Sequence, residues 1–359
     1  YTYPAANVYF DLHKAFMPDL KALSSLKISA GYGHAGYDEA VPYQTLHKYV
    51  GGYLPSVPSG AENYHKPLFR INTKEWNASL NVGFMDERLG LGVTYYDKLT
   101  DDTMTMTCVG VVDGFFWVPG QAQEILSRTS SISNKGFEFD LFADIIRTKD
   151  LTWSVSANLS YNINQMYSVD LEDRYGAKIN ATELANRNVI GYPVGALYGY
   201  AYAGGKHLDI TGNGVLTGND KVIVGNPIPV YVGGFNSSLR YRNFSFDFAF
   251  DGAAGHDILN LTRMYTDDDP TDLISAKYVE KGDFLRLKSV GFAYTIPFKK
   301  KWIESLKVKL TGMNLCTLTG YSGWNPDVNV YGASPMTAGI DYGSWPQART
   351  VTLGISVDF

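Results

Sequence analysis

Val351-Thr352-Leu353-Gly354-Ile355-Ser356-Val357-Asp358-Phe359 is a strict alternation of apolar with small or polar residues. Successive side chains of a β-strand point to opposite faces, so Val351, Leu353, Ile355, Val357 and Phe359 share one face. Thr352, Gly354, Ser356 and Asp358 share the other. The same period recurs in Leu151–Tyr161, where Leu151, Trp153, Val155, Ala157, Leu159 and Tyr161 alternate with Thr, Ser and Asn. Phe244, Phe246, Phe248 and Phe250 alternate with Ser245, Asp247 and Ala249, and Trp76–Phe84 and Arg88–Tyr96 behave alike. A soluble antiparallel sheet also alternates. Here, however, the polar face is Ser, Thr, Asn and Gly rather than Lys and Glu, and aromatics gather near strand ends. A lipid-facing band with aromatic girdles and a polar lumen needs that combination.

Composition agrees. Among 359 residues, aromatics reach 14% and charged residues only 19%, too few charges for a disordered chain. The balance of 31 basic against 36 acidic side chains, net −5, excludes the basic stripe of a nucleic-acid binder. No run of about 18 apolar residues offers a transmembrane helix. Two cysteines cannot build a disulfide framework or a four-cysteine zinc site. The class is all-β, as a transmembrane antiparallel β-barrel.

Eleven strands are expected, near 5–12, 26–34, 75–85, 88–99, 135–145, 151–163, 230–241, 244–254, 283–295, 305–315 and 347–359. Their connections alternate between short and long. Tight turns fall at Asp86-Glu87, Arg147–Asp150 and Arg242-Asn243, and modest ones at 13–25 and 296–304. Long loops span about 35–74, 100–134, 164–229, 255–282 and 316–346. Long loops on one rim and short turns on the other are the asymmetry of an outer-membrane barrel. An odd number of antiparallel strands cannot close on itself, because the first and last would run parallel. No signal peptide opens at Tyr1. Residues 1–359 are therefore expected to form the C-terminal part of a larger barrel, with residue 1 in an extracellular loop and the N-terminal barrel segment elsewhere.

Several motif-bearing stretches also have a plain structural reading. Gly31, Gly33 and Gly36 have dinucleotide-fingerprint spacing, but the run continues into Tyr37–Pro42 without an amphipathic helix, so a strand end is expected. Asp209, Thr211, Asn213, the Val215 carbonyl and Asp220 stand at positions 1, 3, 5, 7 and 12 of an EF-hand-like loop, with Gly214 at position 6. Two readings stay open there: a structural Ca2+ in an extracellular loop, or a turn capped by its own Asp side chains. The six histidines are scattered, and no H-E-x-x-H, G-x-S-x-G or P-loop pattern appears, so no catalytic residues and no enzyme activity are expected. Cys108 and Cys316 are expected as separate thiols. Aromatics in the long loops, Phe115, Phe116, Trp117, Tyr321, Trp324 and Trp345 with Tyr342, would either bind substrate or build loop cores.

Several stretches, in order, resemble SusC/RagA-type TonB-dependent transporters. They are Gly225-Asn226-Pro227-Ile228-Pro229, Gly233–Asn236, Tyr241–Asp247, Gly282–Val290, Tyr294–Pro297, Thr311–Leu315, Tyr321–Asp327 and Arg349–Gly354 closing on Phe359. Leu26–Gly36, Asn134–Phe139 and Gly191–Tyr202 are similar too, and Asp209–Asp220 resembles the family's D-x-N-G-D-G-type loop apart from Thr211 and Asn213. The resemblance implies a plugged barrel of about 22 strands, of which this chain supplies strands twelve to twenty-two. It further implies TonB-dependent import of nutrient oligomers, glycan or oligopeptide, across the bacterial outer membrane. Implied partners are a SusD-like surface lipoprotein lid, the N-terminal barrel and plug segment, TonB acting through that segment, and outer-membrane lipid. No organic cofactor and no nucleic acid are implied. The competing readings are a passive porin or adhesin barrel, and a siderophore- or haem-type TonB-dependent receptor.

Overall fold

A computed structural model of the chain describes residues 2–38, 70–109, 123–168, 185–267, 273–300, 302–329 and 338–359. Eleven strands form one antiparallel sheet in chain order. They are β1 (Ala5–Asp11), β2 (Leu23–Asp38), β3 (Arg70–Phe84), β4 (Leu89–Val109), β5 (Gln123–Arg147) and β6 (Leu151–Ser168), then β7 (Tyr231–Tyr241), β8 (Phe244–Ala254), β9 (Phe284–Lys300), β10 (Ile303–Thr319) and β11 (Thr350–Asp358). All eleven expected strands are present. Several run farther at their long-loop ends: β4 reaches Val109, β5 starts at Gln123 and β6 reaches Ser168. The extensions of β5 and β6 lose the apolar alternation, whereas that of β4 regains it at Thr103–Cys108 after the break at Asp101-Asp102.

Cross-strand register separates the two faces. Ile28, Leu80, Val93, Phe139, Leu159, Gly233, Gly252, Leu285 and Leu318 are successive partners across nine strands. One residue away, Lys27, Asn81, Gly92, Asp140, Asn158, Gly234, Asp251, Arg286 and Thr317 form the adjacent row. Neighbouring rows face opposite ways. In the apolar row Ile28, Leu80, Phe139, Leu159, Leu285 and Leu318 are exposed, from 41% at Ile28 to 63% at Leu318, and Val93 is half-buried. A continuous apolar belt of this extent calls for a lipid phase rather than water.

Aromatic rows bound the belt. Tyr95, Phe137, Tyr161 and Tyr231 are successive partners, with ring centroids 5.2 Å apart in the Tyr95–Phe137 and Tyr161–Tyr231 pairs. Just past them on the same face, Lys135 Nζ meets Asp97 at 2.9 Å. Toward the short turns, Tyr241, Phe244 and Tyr294 form the opposite row, and the Phe244 and Tyr294 rings lie 4.5 Å apart. Strand β7 runs between the two rows with 11 residues. At about 3.4 Å per residue and a tilt near 40°, that length spans roughly 25 Å of height, the apolar band of an outer-membrane barrel.

Register shifts occur along several strands, and two of them lie side by side in β9 and β10. Phe250 pairs Leu287 while Ala249 pairs Ser289, so Lys288 is an extra residue in β9. Across from it, Leu287 pairs Cys316 and Ser289 pairs Met313, which sets Asn314 and Leu315 against Lys288 alone, one residue more in β10 than in β9, with Asn314 left-handed at φ 54°. Such bulges twist a strand and re-aim side chains. Lys288 joins Arg286 on the inner face, where its Nζ lies 3.8 Å from Asp251.

The short turns are as expected at Asp86-Glu87, Arg147–Asp150 and Arg242-Asn243, and the 13–25 connection holds a short helix, Leu12–Phe16, capped by Asp11. The glycine-spaced run of Gly31, Gly33 and Gly36 lies within β2, as expected for a strand.

The fully buried core is not in the sheet but above it. Asn186–Arg187, Ala196–Tyr200 and Lys221–Gly225 make one small sheet, and Asp257–Asn260, Val279–Lys281 and Ile340–Asp341 make another. Leu197, Leu259, Leu261, Met264, Ile274, Tyr278 and Ile340 pack between them. The Tyr200 N–H donates to the Ile274 carbonyl at 2.9 Å, tying the first sheet to the stretch that leads into Val279–Lys281 of the second. A second cluster of Met166 and Val194 against Ile132 seats this loop layer on the tops of β5 and β6.

The register predicts the effect of charge on each face. Leu353→Arg places a cation in the lipid belt, at a cost of roughly 2–4 kcal/mol near the bilayer midplane, whereas Thr352→Arg faces the lumen. Surface abundance and heat-modifiable folding should fall for Leu353→Arg and stay near wild type for Thr352→Arg. Equal effects would place the register wrongly.

Candidate functional site

The inner face and the loop layer meet at Arg286. Its Nε and one Nη grip the two oxygens of Asp251 at 2.9 and 3.0 Å, a bidentate pair between β9 and β8. The other Nη donates to Gln347 Oε1 at 2.7 Å, just before β11. Asp327 of the long loop approaches at 3.5 Å, and the guanidinium stacks over Phe284. One buried cation therefore fastens two strands, one long loop and the approach to a third strand.

A cavity of about 370 Å³ opens beside it, walled by Pro227, Pro229, Phe284, Pro326 and His256. His256 packs over Gly282, where a Cβ would strike the ring, and donates to the Pro326 carbonyl. Burial holds its imidazole below the ordinary range, so it is neutral at pH 7.

Deeper carboxylates lock the loop layer itself. Glu280 accepts from Arg263 Nη1 at 2.5 Å, from Ser322 N–H and Oγ at 2.9 Å, and from Asn260 Nδ2 at 3.2 Å. Asp341 accepts the Tyr321 hydroxyl at 2.5 Å and the Ser344 N–H at 3.2 Å. Tyr321 is thus a core residue of the loop layer rather than a surface for ligand. Burial, then its bond to Asp341, pushes its phenol far above the ordinary range and keeps it a donor.

The inner wall is a hydrogen-bonding surface. The Tyr96 hydroxyl donates to Asn162 Oδ1 at 3.0 Å, and Asn162 and Asn164 both donate to Asn134 Oδ1, at 3.1 and 2.9 Å. A cleft of about 550 Å³ on this wall is lined by Glu138, Asp140, Asn158, Asn236, Asp251 and Lys288. It can hold a polar solute through hydroxyls, amides and water. Among the described residues, no three His, Cys, Asp or Glu side chains converge on one point.

The other candidates fall into separate places. Phe115, Phe116 and Trp117 lie outside the described residues. Trp324 and Trp345 are 77% and 90% exposed, and Tyr342 packs edge-on against Tyr265 at 5.7 Å. Cys316 is a free, exposed thiol. In the 209–220 loop the carboxylates do converge, since Thr211 Oγ1 lies 3.1 Å from Asp209 and 2.8 Å from Asp220. Their oxygens are nonetheless already taken by donors of the loop itself. That donor set does not fit a calcium cage. Arg286, Glu280 and Arg263 escaped the sequence reading, because nothing in one strand's pattern tells a lumenal Arg from one that ties loops together.

No family model matches the chain. It is 28% identical to TonB-dependent receptor P3 of Formosa agariphila, over 99% of this chain and 42% of that protein. It is 24% identical to the TonB-dependent receptor SusC of Bacteroides thetaiotaomicron, over 96% of this chain and 38% of that one. Among solved structures, it superposes on the RagAB peptide transporter with a TM-score of 0.79 at 22% identity, over 99% of this chain and 43% of that chain. It superposes on the RagAB peptide importer in its open-open state with a TM-score of 0.78 at 19% identity, over 99% of this chain and 42% of that chain. The chain spans about two-fifths of the length of these curated relatives.

If Arg286 is the fastening point, Arg286→Met should cost about 3 kcal/mol, as when a buried ion pair loses one partner. Asp251→Asn on top of Arg286→Met should then cost much less than it does alone. Thermal unfolding of the purified protein checks this, and simple additivity of the two losses would show that the pair does not act as a unit.

Proposed function

We propose that this chain, which is homologous over nearly its whole length to SusC/RagA-type TonB-dependent receptors and forms part of an outer-membrane barrel wall, serves TonB-dependent import of an oligomeric nutrient. The substrate is a glycan or an oligopeptide, taken up beneath a SusD-like lipoprotein lid. The remaining barrel strands, the plug and the TonB-contacting segment are expected in the rest of the protein. Strands β1 and β11 are paired on one side only among the described residues, and the missing strands would continue the sheet from both edges.

The observation that carries this reading is the loop layer. It has its own apolar core and is pinned to the inner wall through Arg286. A passive pore needs an open mouth and gains nothing from an ordered platform across its rim. A platform that meets a moving lid must keep its shape while the lid opens and closes. Trp324 and Trp345 stand free on that platform, available to lid or substrate. The polar inner wall suits a hydrophilic oligomer that passes by exchanging hydrogen bonds with amides and hydroxyls.

Native mass spectrometry of the detergent-extracted complex tests the proposal. The expected particle contains the rest of the barrel, a lipoprotein and bound oligomer whose mass ladder identifies sugar or peptide. A complex without lipoprotein, retaining a metal chelate or haem, would replace this reading with the siderophore- or haem-type receptor. A lone barrel without ligand would favour the porin or adhesin.

A further inference from the structure

We propose that the 209–220 loop closes without a metal ion, the hydroxyl hydrogen of Thr211 standing where a calcium ion would otherwise bridge Asp209 and Asp220. The inference does not depend on the transport reading.

A carboxylate offers about four lone-pair sites. Asp220 receives four donors: Thr211 N–H at 2.9 Å and Thr211 Oγ1 at 2.8 Å on one oxygen, Thr217 N–H at 2.7 Å and Thr217 Oγ1 at 3.0 Å on the other. It is fully buried and closes a capping box with Thr217. Asp209 receives Gly212 N–H at 2.7 Å and Gly214 N–H at 2.6 Å, besides Thr211 Oγ1 at 3.1 Å. Gly212 and Gly214 both have left-handed φ, 71° and 81°, which turns their N–H groups inward. Asn213 Oδ1 accepts the Val215 N–H at 2.8 Å.

Calcium requires roughly six to eight oxygens with lone pairs free. Binding here would strip donors from the buried Asp220 carboxylate and leave the part-buried N–H groups of Thr211 and Thr217 without their acceptor. The residue at position 211 decides between the two modes. A carboxylate there would bring a third negative charge against two others and demand a cation. A threonine brings a proton, and its one hydroxyl hydrogen lies within reach of both carboxylates. The backbone N–H bonds also hold the Asp220 carboxyl well below the ordinary range, so it stays ionised with no metal nearby.

The test is limited proteolysis of the complete detergent-extracted protein, read at cleavage sites within 205–221, in millimolar calcium and in EGTA. The wild type should be cut at the same rate in both, and should carry no stoichiometric calcium by elemental analysis. Calcium-dependent protection, or bound calcium at one per chain that Asp220→Asn removes, would overturn the proposal. Two variants examine the hydroxyl. Thr211→Val should be cut faster than wild type, equally in both media, while Thr211→Ser keeps wild-type resistance. If Thr211→Val resists cleavage as the wild type does, the hydroxyl is not what closes the loop, and the proposal fails. Thr211→Asp should acquire calcium protection, since ligand at tenfold its Kd suppresses opening by about tenfold.

Discussion

Backbone hydrogen bonding inside a bilayer is the constraint on which the rest of this molecule depends. With no water in the hydrocarbon, each N–H and C=O of a strand must find its partner on the next strand. The eleven strands answer this by pairing in strict chain order. Once the ladder is set, every side chain is committed to lipid or lumen, because the period is two. Ile28, Leu80, Phe139 and Leu159 are thereby exposed to lipid, and Lys27, Asn81, Asp140 and Asn158 to the lumen. A sheet of this kind has no apolar core of its own. Its apolar side chains are buried by the membrane.

The loop layer solves the opposite problem. It stands in water above the sheet, so it must bury its own apolar surface, and it does so around Leu197, Leu259 and Ile340. Attachment to the barrel is shared between the Met166–Val194 cluster on β5 and β6 and polar groups on the lumenal side. Arg286 is the chief of these, since it reaches Asp251, Gln347 and Asp327 from one strand. The bulge at Lys288 lies two residues on, and it lets β9 carry Arg286 and Lys288 inward while Val290 and Phe292 return to the lipid side. One of the sheet's irregularities thus lies where the wall carries the platform.

The membrane part was legible in the sequence because lipid and lumen impose opposite chemistries on adjacent residues. β3, β4, β6, β8 and β11 follow directly from that alternation, and the tight turns at Asp86-Glu87 and Arg242-Asn243 fall at the ends of such strands. Outside the lipid the same constraint lapses, so the extensions of β5 and β6 carry no readable pattern, and in β4 Asp101-Asp102 interrupts it. The small sheets were invisible for another reason. Leu259 pairs with Ile340, and Tyr200 lies beside Ser275, across long stretches of chain. No local period announces such contacts. In the candidate site, the spacing of Asp209, Thr211, Asn213 and Asp220 gave the shape of the loop, but not whether protons or a cation fill it. Tyr321 was visible as a loop aromatic, yet only its bond to Asp341 distinguishes a core side chain from a ligand surface.

The register sorts residues between lipid and lumen, and β9 tests it most sharply because the bulge breaks its alternation. Single cysteines placed from Leu285 to Phe292, with Cys108 and Cys316 replaced by serine, can be labelled in native outer membranes with a water-soluble thiol reagent. Positions 286, 288, 289 and 291 should react, and 285, 287, 290 and 292 should be protected. Unbroken alternation through 286, 288, 290 and 292, or the inverse pattern, would contradict the account.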